Sequence, residues 1–242
     1  LNDADLKFLG RQHNKDQALR ALDIARNTFD RYSFDLIYAR PEQSIAAWEA
    51  ELKQALDYGT THLSLYQLTI EQGTAFFTQH KRGDFRLPDE FLAADLYEAT
   101  QALTASYKLP SYETSNHAAM GEESRHNLVY WRYFDYIGIG PGAHGRRGAM
   151  ATQRHKKPEN WMSAMARNGH GAQSEEPLAG EDRAREALLM GLRLNEGVDL
   201  DRIAALSGLS TPQLVDERAI AQLIDIGLLH RQGTRLQVAA AG

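Results

Sequence analysis

The sequence has no cysteine in its 242 residues. A disulfide framework is therefore excluded, and so is an iron–sulfur cluster held by thiolates of this chain, because cysteine supplies the usual cluster ligands. A protein without disulfides fits the reducing environment of the cytosol. We therefore expect a cytoplasmic protein.

The sequence also lacks long apolar runs and a large excess of either charge. No run approaches the roughly 18 apolar residues of a membrane span, and no signal peptide is recognisable. A net charge of −5 gives no global field that favours nucleic acid. An apolar content of 43% and a charged content of 24% are ordinary for a soluble globular protein. The length allows one large domain or two smaller ones.

The first part of the chain alternates predicted helices and strands. The pattern predicts helices over 2–10 and 15–31, a strand over 34–38, a helix over 45–58 and a strand over 62–70. Asn14 and Ser44 are candidate N-caps, and Gly59 fits a helix stop. Such alternation favours parallel strands joined by crossover helices. Two parallel strands alone would leave a long unpaired edge at 34–38, so we expect further strands before Leu1.

The second part of the chain has a different pattern. It predicts a helix over about 89–107, a short strand over 111–114, mixed loops and strands over 117–155, a helix over 158–168 and a polar linker over 173–180. Three helices over about 181–192, 199–207 and 212–227 precede a hairpin that turns at 232–234. This order is typical of a winged-helix-like module.

Two runs carry a resemblance to a known family. They are His126-Asn127-Leu128-Val129-Tyr130-Trp131 and Gly138-Ile139-Gly140-Pro141-Gly142-Ala143-His144-Gly145. With Asp35-Leu36-Ile37-Tyr38 upstream, the chain resembles the haem chaperone HemW branch of the oxygen-independent coproporphyrinogen III oxidase-like radical SAM family. The match is strongest over about residues 1–170 and weaker to 242.

The resemblance implies an α/β fold in three parts. Residues 1–115 would form the C-terminal portion of a partial (β/α)6 radical SAM barrel, 116–172 a HemW-type α+β extension, and 173–242 a helical, winged-helix-like module. The family's three-cysteine motif and its Gly-rich S-adenosylmethionine segment would lie before Leu1, and relatives continue past Gly242. We therefore expect a fragment that is truncated at both ends and inactive in radical chemistry.

The resemblance assigns Arg11, Asp35 and Thr69 to the S-adenosylmethionine site. A carboxylate within the apolar strand, such as Asp35, needs a partner or a ligand. The alternative for Asp35 is a turn cap or an arginine pair, and the alternative for Arg11 is a solvated cation at a helix end. One departure is Ala39-Arg40, where many relatives carry Gly-Leu; we expect it to be tolerated because it lies at a loop entrance.

The resemblance also associates His126, Asn127, Tyr130 and Trp131 with haem. A neutral imidazole is a good iron ligand, and aromatic faces suit a porphyrin plane. The alternative is a hydrogen-bonded loop histidine beside ordinary core aromatics. His144 would lie at the active-site mouth.

The glycines at 138, 140, 142 and 145 do not predict a phosphate loop, because Pro141 removes a donor and no Lys-Ser/Thr follows. They predict a turn in which the backbone approaches another group closely.

Local charge supports an anionic ligand. Residues 117–170 carry eight Lys and Arg against four Asp and Glu, which would attract haem propionates. A solvated surface is the alternative. Residues 183–242 carry seven of each sign, so DNA binding by the C-terminal module is not expected.

The sequence and the resemblance together indicate a haem chaperone of the radical SAM superfamily. The whole protein would bind a [4Fe–4S] cluster, S-adenosylmethionine and haem, and deliver haem to acceptor haem proteins. The alternative is oxygen-independent decarboxylation of coproporphyrinogen III, so enzymatic activity remains an open question at this point.

Overall fold

The computed structural model describes residues 1–240 and has a mixed α/β architecture. Its contacts divide the chain into two compact units, with the first covering residues 1–123 and the second beginning at Ser124. In the described part of the chain, none of the helices combines the length and the apolar character needed to cross a membrane. The expected division into residues 1–115, 116–172 and 173–242 stays a prediction.

The first unit contains nine helices and strands, and the first five follow the predicted alternation. In chain order they are α1 (Asp3–Phe8), α2 (Lys15–Thr28), β1 (Ser33–Tyr38), α3 (Ile45–Leu56), β2 (His62–Gln67), α4 (Ala75–Arg82), α5 (Glu90–Ser106), β3 (Ser111–Glu113) and β4 (Asn116–Ala118). The predicted caps are confirmed: the Asn14 side chain accepts from Gln17 in a capping box, and that of Ser44 accepts from Ala47. Helix α4 and strand β4 were not predicted.

The sheet of the first unit has the strand order β1-β2-β4-β3. Strands β1 and β2 run parallel, as predicted, and β4 pairs antiparallel with both β2 and β3. Within residues 1–240, β1 pairs only with β2, so the predicted edge strand at 34–38 is confirmed.

One face of this sheet is apolar and packs on α3 and α5. Leu36 and Tyr38 of β1 lie in a buried cluster with Trp48 and Leu96. The Tyr38 and Trp48 rings stack with centroids 4.9 Å apart, and the Trp48 Nε1–H donates to the Thr100 hydroxyl at 2.8 Å. Because the indole nitrogen has a partner, the ring is buried without the penalty of an unsatisfied donor.

The second unit contains two antiparallel three-stranded sheets. Its elements are α6 (Arg125–Trp131), β5 (His144–Arg147), β6 (Met150–Arg154), α7 (Pro158–Asn168), β7 (Ala172–Pro177), α8 (Gly180–Gly191), β8 (Val198–Asp199), α9 (Leu200–Ser207), α10 (Thr211–Leu214), α11 (Glu217–Asp225), β9 (Leu229–Gln232) and β10 (Arg235–Val238). The strand orders are β5-β6-β7 and β8-β10-β9. The predicted helix over 158–168 and the predicted C-terminal hairpin are confirmed.

Three sequence predictions in the second unit were wrong. The polar linker over 173–180 is largely strand β7, which pairs with β6; because it is an edge strand, polar residues are tolerated and the apolar alternation is weak. The helix over 212–227 is interrupted, and Asp216 caps α11 by accepting from the Arg218 and Ala219 amides. The start of the region over 117–155 includes helix α6, which Ser124 caps.

A strained residue connects β1 to the following loop. Ala39 is buried and has φ of +54°. The left-handed region costs a residue with a Cβ atom about 1–2 kcal/mol, which glycine avoids.

We predict that Ala39→Gly raises the free energy of unfolding by about 0.5–1 kcal/mol, because relief of strain outweighs loss of one buried methyl group. Ala50→Gly, at an exposed position of α3, is the matched control and should lower it by about 1 kcal/mol. Chemical denaturation measures both. If Ala39→Gly lowers the free energy of unfolding as Ala50→Gly does, the predicted backbone strain at Ala39 is contradicted.

A second prediction concerns His117 of β4, which is 1% exposed. Burial lowers the pKa of His117 from 6.5 to about 4, against the opposing effects of Glu113 and a hydrogen bond to the Leu109 backbone. The unfolded chain takes up this proton near pH 6.5 and the folded chain only near pH 4. Stability from the neutral ring is therefore complete above pH 6.5 and decreases as the pH falls through this window.

We expect the free energy of unfolding to fall by about 3 kcal/mol between pH 7 and pH 4 on account of His117. Urea unfolding at several pH values measures the slope, and His117→Gln should reduce it. Equal slopes for the variant and the unsubstituted chain would refute the assignment.

Candidate functional site

The second face of the first unit's sheet is polar. The register places Asp35 beside Ser64 and Ser64 beside Asn116, so one row of polar residues crosses three strands. The Ser64 hydroxyl donates to the Asn116 side-chain oxygen at 2.9 Å, and the Asn116 amide donates to Glu113. Glu113 is fully buried and also accepts from the Ser115 amide at 2.9 Å. The bonds to Glu113 all reach its Oε1, so this oxygen of the buried carboxylate has several donors.

A second polar group lies along the same face, at the start of the strands. The Ser33 hydroxyl lies 2.7 Å from His62 Nδ1, and the Tyr112 hydroxyl lies 3.0 Å from His62 Nε2. Burial lowers the pKa of His62, while nearby Asp35 acts in the opposite direction. Both ring nitrogens are thus within hydrogen-bonding distance of hydroxyls, which fixes the ring orientation.

A cavity of about 500 Å³ opens beside strand β1. Arg11 and Asp35, which the sequence analysis associated with one ligand, both line it, together with His13, Ile37 and Tyr66. Both side chains are exposed, so they can reach a ligand from the cavity wall. Among its lining residues, the exposed Arg11 guanidinium, the exposed Asp35 carboxylate and the Tyr66 ring suit a zwitterionic ligand with a flat ring system.

Thr69 is exposed, two residues after the end of β2, and is not among the residues that line this cavity. Its assignment stays a prediction.

Arg40 also lines the cavity, and the sequence analysis missed its role. Its guanidinium is 6% exposed and pairs with Asp5 of α1 at 2.8 Å and with Glu51 of α3 at 2.5 Å. It also donates to the Ile37 carbonyl. Burial lowers the Arg40 pKa, and Asp5 opposes this. Ala39-Arg40 lies at a loop entrance directly after β1, as predicted, and Arg40 in addition connects three segments. An arginine in the apolar run before Pro41 was the available signal.

In the second unit, helix α6 places His126 and Tyr130 on one face, four residues apart. Their rings meet edge to face, with centroids 4.8 Å apart and planes at 76°. The Tyr130 ring in turn meets the Tyr136 ring at 4.6 Å and 70°. The His126 side chain is exposed and is therefore accessible to a ligand from solvent.

Trp131 lies on a different face of α6 from His126, about 140° around the helix at 100° per residue. Its ring lies under the Arg193 guanidinium, 4.6 Å from the centroid, and lines a cavity of about 280 Å³ with Phe134 and Arg202. The aromatic residues of the motif therefore have separate positions: Tyr130 contacts His126, whereas Trp131 contributes to this second cavity.

The remaining two predicted residues have less specific surroundings. Asn127 is half-buried, and its backbone amide donates to the Ser124 hydroxyl at 3.3 Å as part of the α6 cap. His144 is exposed at the first position of β5, where it pairs with Gln153. The expectation that glycines near it permit close backbone approach is confirmed, since a Cβ on Gly138 would lie 2.2 Å from the His144 carbonyl oxygen.

A buried arginine lies behind the aromatic rings. Arg146 is 8% exposed, and its guanidinium carbon lies 3.3 Å from the centroid of the Tyr133 ring. The Tyr133 hydroxyl donates to Glu186, and burial together with this carboxylate raises the pKa of Tyr133 well above its usual range. The sequence identified Arg146 only as one of several positively charged residues over 117–170. The cluster of Arg146, Tyr133 and Glu186 was therefore not predicted.

Within residues 1–240 there is no group of three or more His, Cys, Asp or Glu side chains that could hold a metal ion. The chain has no cysteine, so its own residues do not fit an iron–sulfur cluster held by thiolates.

Several known proteins are similar to this chain. The HemN C-terminal domain model matches residues 178–242. The mitochondrial radical S-adenosyl methionine domain-containing protein 1 of Mus musculus is 40% identical over 207 residues, covering 82% of this chain and 47% of the relative. The haem chaperone HemW of Escherichia coli is 34% identical over 227 residues, covering 90% of this chain and 57% of the relative. The chain thus spans about half the length of these relatives.

A solved structure shares the fold. The coproporphyrinogen III oxidase HemN of Escherichia coli, described as a radical SAM enzyme, superposes with a TM-score of 0.77 at 20% identity, covering all of this chain and 59% of the other. Over most of its length the chain is thus similar to radical S-adenosyl methionine domain-containing protein 1 and to HemW, its residues 178–242 match the HemN C-terminal domain, and it shares the fold of the oxidase.

Proposed function

We propose that this chain is part of a haem chaperone that binds haem through His126 and passes it to acceptor haem proteins. The observation that carries the proposal is the exposed His126 ring, held edge-on by Tyr130 on a face of α6 that is open to solvent. A neutral imidazole of this kind can ligate haem iron. The local excess of positive charge over residues 117–170 would attract the propionates.

The finer fold assignment is part of the same proposal. Strands β1 and β2 with the crossover helix α3 would form the last strands of a partial (β/α)6 barrel, with the polar sheet face toward the barrel interior. Helices α8 to α11 followed by the β9–β10 hairpin would form the winged-helix-like module. Parallel β-α-β units close into barrels in which polar ends of strands meet the ligand, which supports this assignment.

S-adenosylmethionine would bind in the 500 Å³ cavity. Arg11 would bind its carboxylate and Asp35 its ammonium group. When bound to a reduced cluster, this cofactor supplies a 5′-deoxyadenosyl radical in the family. Because the chain has no cysteine, its residues do not fit the cluster, and we expect no reductive cleavage by this chain alone.

Coproporphyrinogen oxidation is the less favoured function. The likeness to the oxidase at 20% identity concerns the fold, whereas relatives at 30–34% identity carry the name of haem chaperone. Formation of protoporphyrinogen by the whole protein would favour the oxidase instead. A cytoplasmic location stays a prediction, and related proteins of animals are named mitochondrial.

The S-adenosylmethionine site predicts that Arg11→Ala weakens binding of this cofactor roughly tenfold, because a charge-assisted hydrogen bond is lost. Asp35→Asn should have a similar effect. Isothermal titration calorimetry with S-adenosylmethionine, in the absence of a reductant, measures the affinity of both variants. Arg20→Ala, at an exposed position of α2, is the matched control. Unchanged affinity in both site variants would exclude this cavity.

The proposed haem site predicts that the chain binds haem saturably, as followed by the Soret band. His126→Ala should lower the haem affinity by at least tenfold, because the axial ligand is removed. His80→Ala, which removes an exposed helical histidine of α4, is the matched control and should bind haem like the unsubstituted chain. Equal binding by the His126 variant would exclude His126 as the ligand.

A further inference from the structure

We infer that Tyr136, fixed by Arg146, is a positioning residue for the His126 imidazole. The inference rests on the proposed function, because it concerns the presentation of the candidate haem ligand. It extends the site beyond the His-Asn-x-x-Tyr-Trp motif to residues that lie on a different element. Its basis is a continuous series of ring contacts from the protein surface to a buried guanidinium.

The outer part of the series is His126, Tyr130 and Tyr136. Helix α6 has seven residues and none of them is buried, so its own packing gives little restraint to an exposed histidine. The Tyr130 ring lies between the other two, with centroid distances of 4.8 Å to His126 and 4.6 Å to Tyr136. Edge-to-face contacts of this kind favour one ring orientation. Tyr136 thus holds Tyr130 on one side, and Tyr130 limits the rotation of His126 on the other.

The backbone of Tyr136 is fixed to strand β5. Its amide donates to the Arg146 carbonyl at 2.7 Å, and the Arg146 amide donates to the Tyr136 carbonyl at 3.0 Å. Gly145 permits this approach, since a Cβ there would lie 2.8 Å from the Gly138 nitrogen and 3.2 Å from the Tyr136 oxygen. The Gly-rich motif therefore allows close backbone pairing between β5 and Tyr136, which fixes the position of the Tyr136 backbone.

The Arg146 side chain holds the inner end of the series. Its guanidinium carbon lies 5.5 Å from the Tyr136 ring centroid and 3.3 Å from that of Tyr133. One guanidinium nitrogen of Arg146 donates to the Phe134 carbonyl at 3.1 Å, and another lies 3.9 Å from a Glu186 oxygen. A planar guanidinium can stack on rings and donate at its edges at the same time, which a lysine cannot. The Tyr136 ring is therefore restrained from the Arg146 side.

A double-mutant cycle on the full chain tests the inference. Haem titrations followed by the Soret band would compare the unsubstituted chain, Tyr136→Leu, His126→Ala and the double variant. We expect Tyr136→Leu to lower the haem affinity roughly three- to tenfold, which corresponds to the loss of one aromatic ring contact. The Soret maximum should shift toward that of His126→Ala. Tyr136→Phe should restore both readouts, because it keeps the ring. In the His126→Ala background, Tyr136→Leu should have no further effect.

Each other outcome has a separate meaning. Weakening by Tyr136→Leu in both backgrounds alike would overturn the inference, since it would indicate a general structural role. Normal haem binding by Tyr136→Leu, together with a loss in His126→Ala, would also overturn it while leaving the proposed haem site intact. Normal binding by His126→Ala would instead refute the proposed ligand. If Tyr136→Leu lowers the melting temperature, Tyr136→Met replaces it in the cycle, because its unbranched side chain has a similar volume and adapts better to an irregular gap.

Discussion

The parallel register of β1 and β2 is the constraint on which the first unit depends. Side chains alternate between the two faces of a sheet, so pairing of Asp35 with Ser64 also places Leu36 beside Leu65 on the opposite face. A slip of one residue would move leucines to the polar face and carboxylates into the core. The same pairing therefore builds the core with α3 and α5 and presents Asp35 to the cavity. The site in this unit is a consequence of the register that stabilises it.

The two halves of the candidate haem motif differ in what the surrounding structure requires of them. Tyr130 and His126 share a helix face, and their value lies in the orientation of an exposed ring. Trp131 faces elsewhere and contributes its bulk to the wall of a cavity under Arg193. A motif that reads as one ligand-binding run thus combines a ligand-presenting part with a packing part. Loss of the first part would affect ring orientation, and loss of the second would affect packing.

Sequence reasoning predicted the parts of the fold that follow from local patterns. The caps at Asn14 and Ser44, the parallel β1–β2 pair and the C-terminal hairpin each follow from short-range signals. Strand β7 could not be predicted, because an edge strand with polar residues has no apolar alternation. The assignment of His126 depends on its motif and stays a prediction. Arg40 and Arg146 were missed because their roles depend on partners more than ten residues away, such as Glu51 and Glu186.

These two arginines show a common way of burying a cation. Each lies near a non-glycine residue in the left-handed region, Ala39 with φ of +54° for Arg40 and Tyr133 with φ of +53° for Arg146. In both cases the guanidinium donates to a carbonyl of the adjacent turn, that of Ile37 or Phe134, in addition to meeting a carboxylate. A buried cation needs several acceptors, and a carboxylate alone leaves donors unsatisfied. In both places a backbone carbonyl within two residues of the left-handed position therefore supplies an acceptor in addition to the carboxylates.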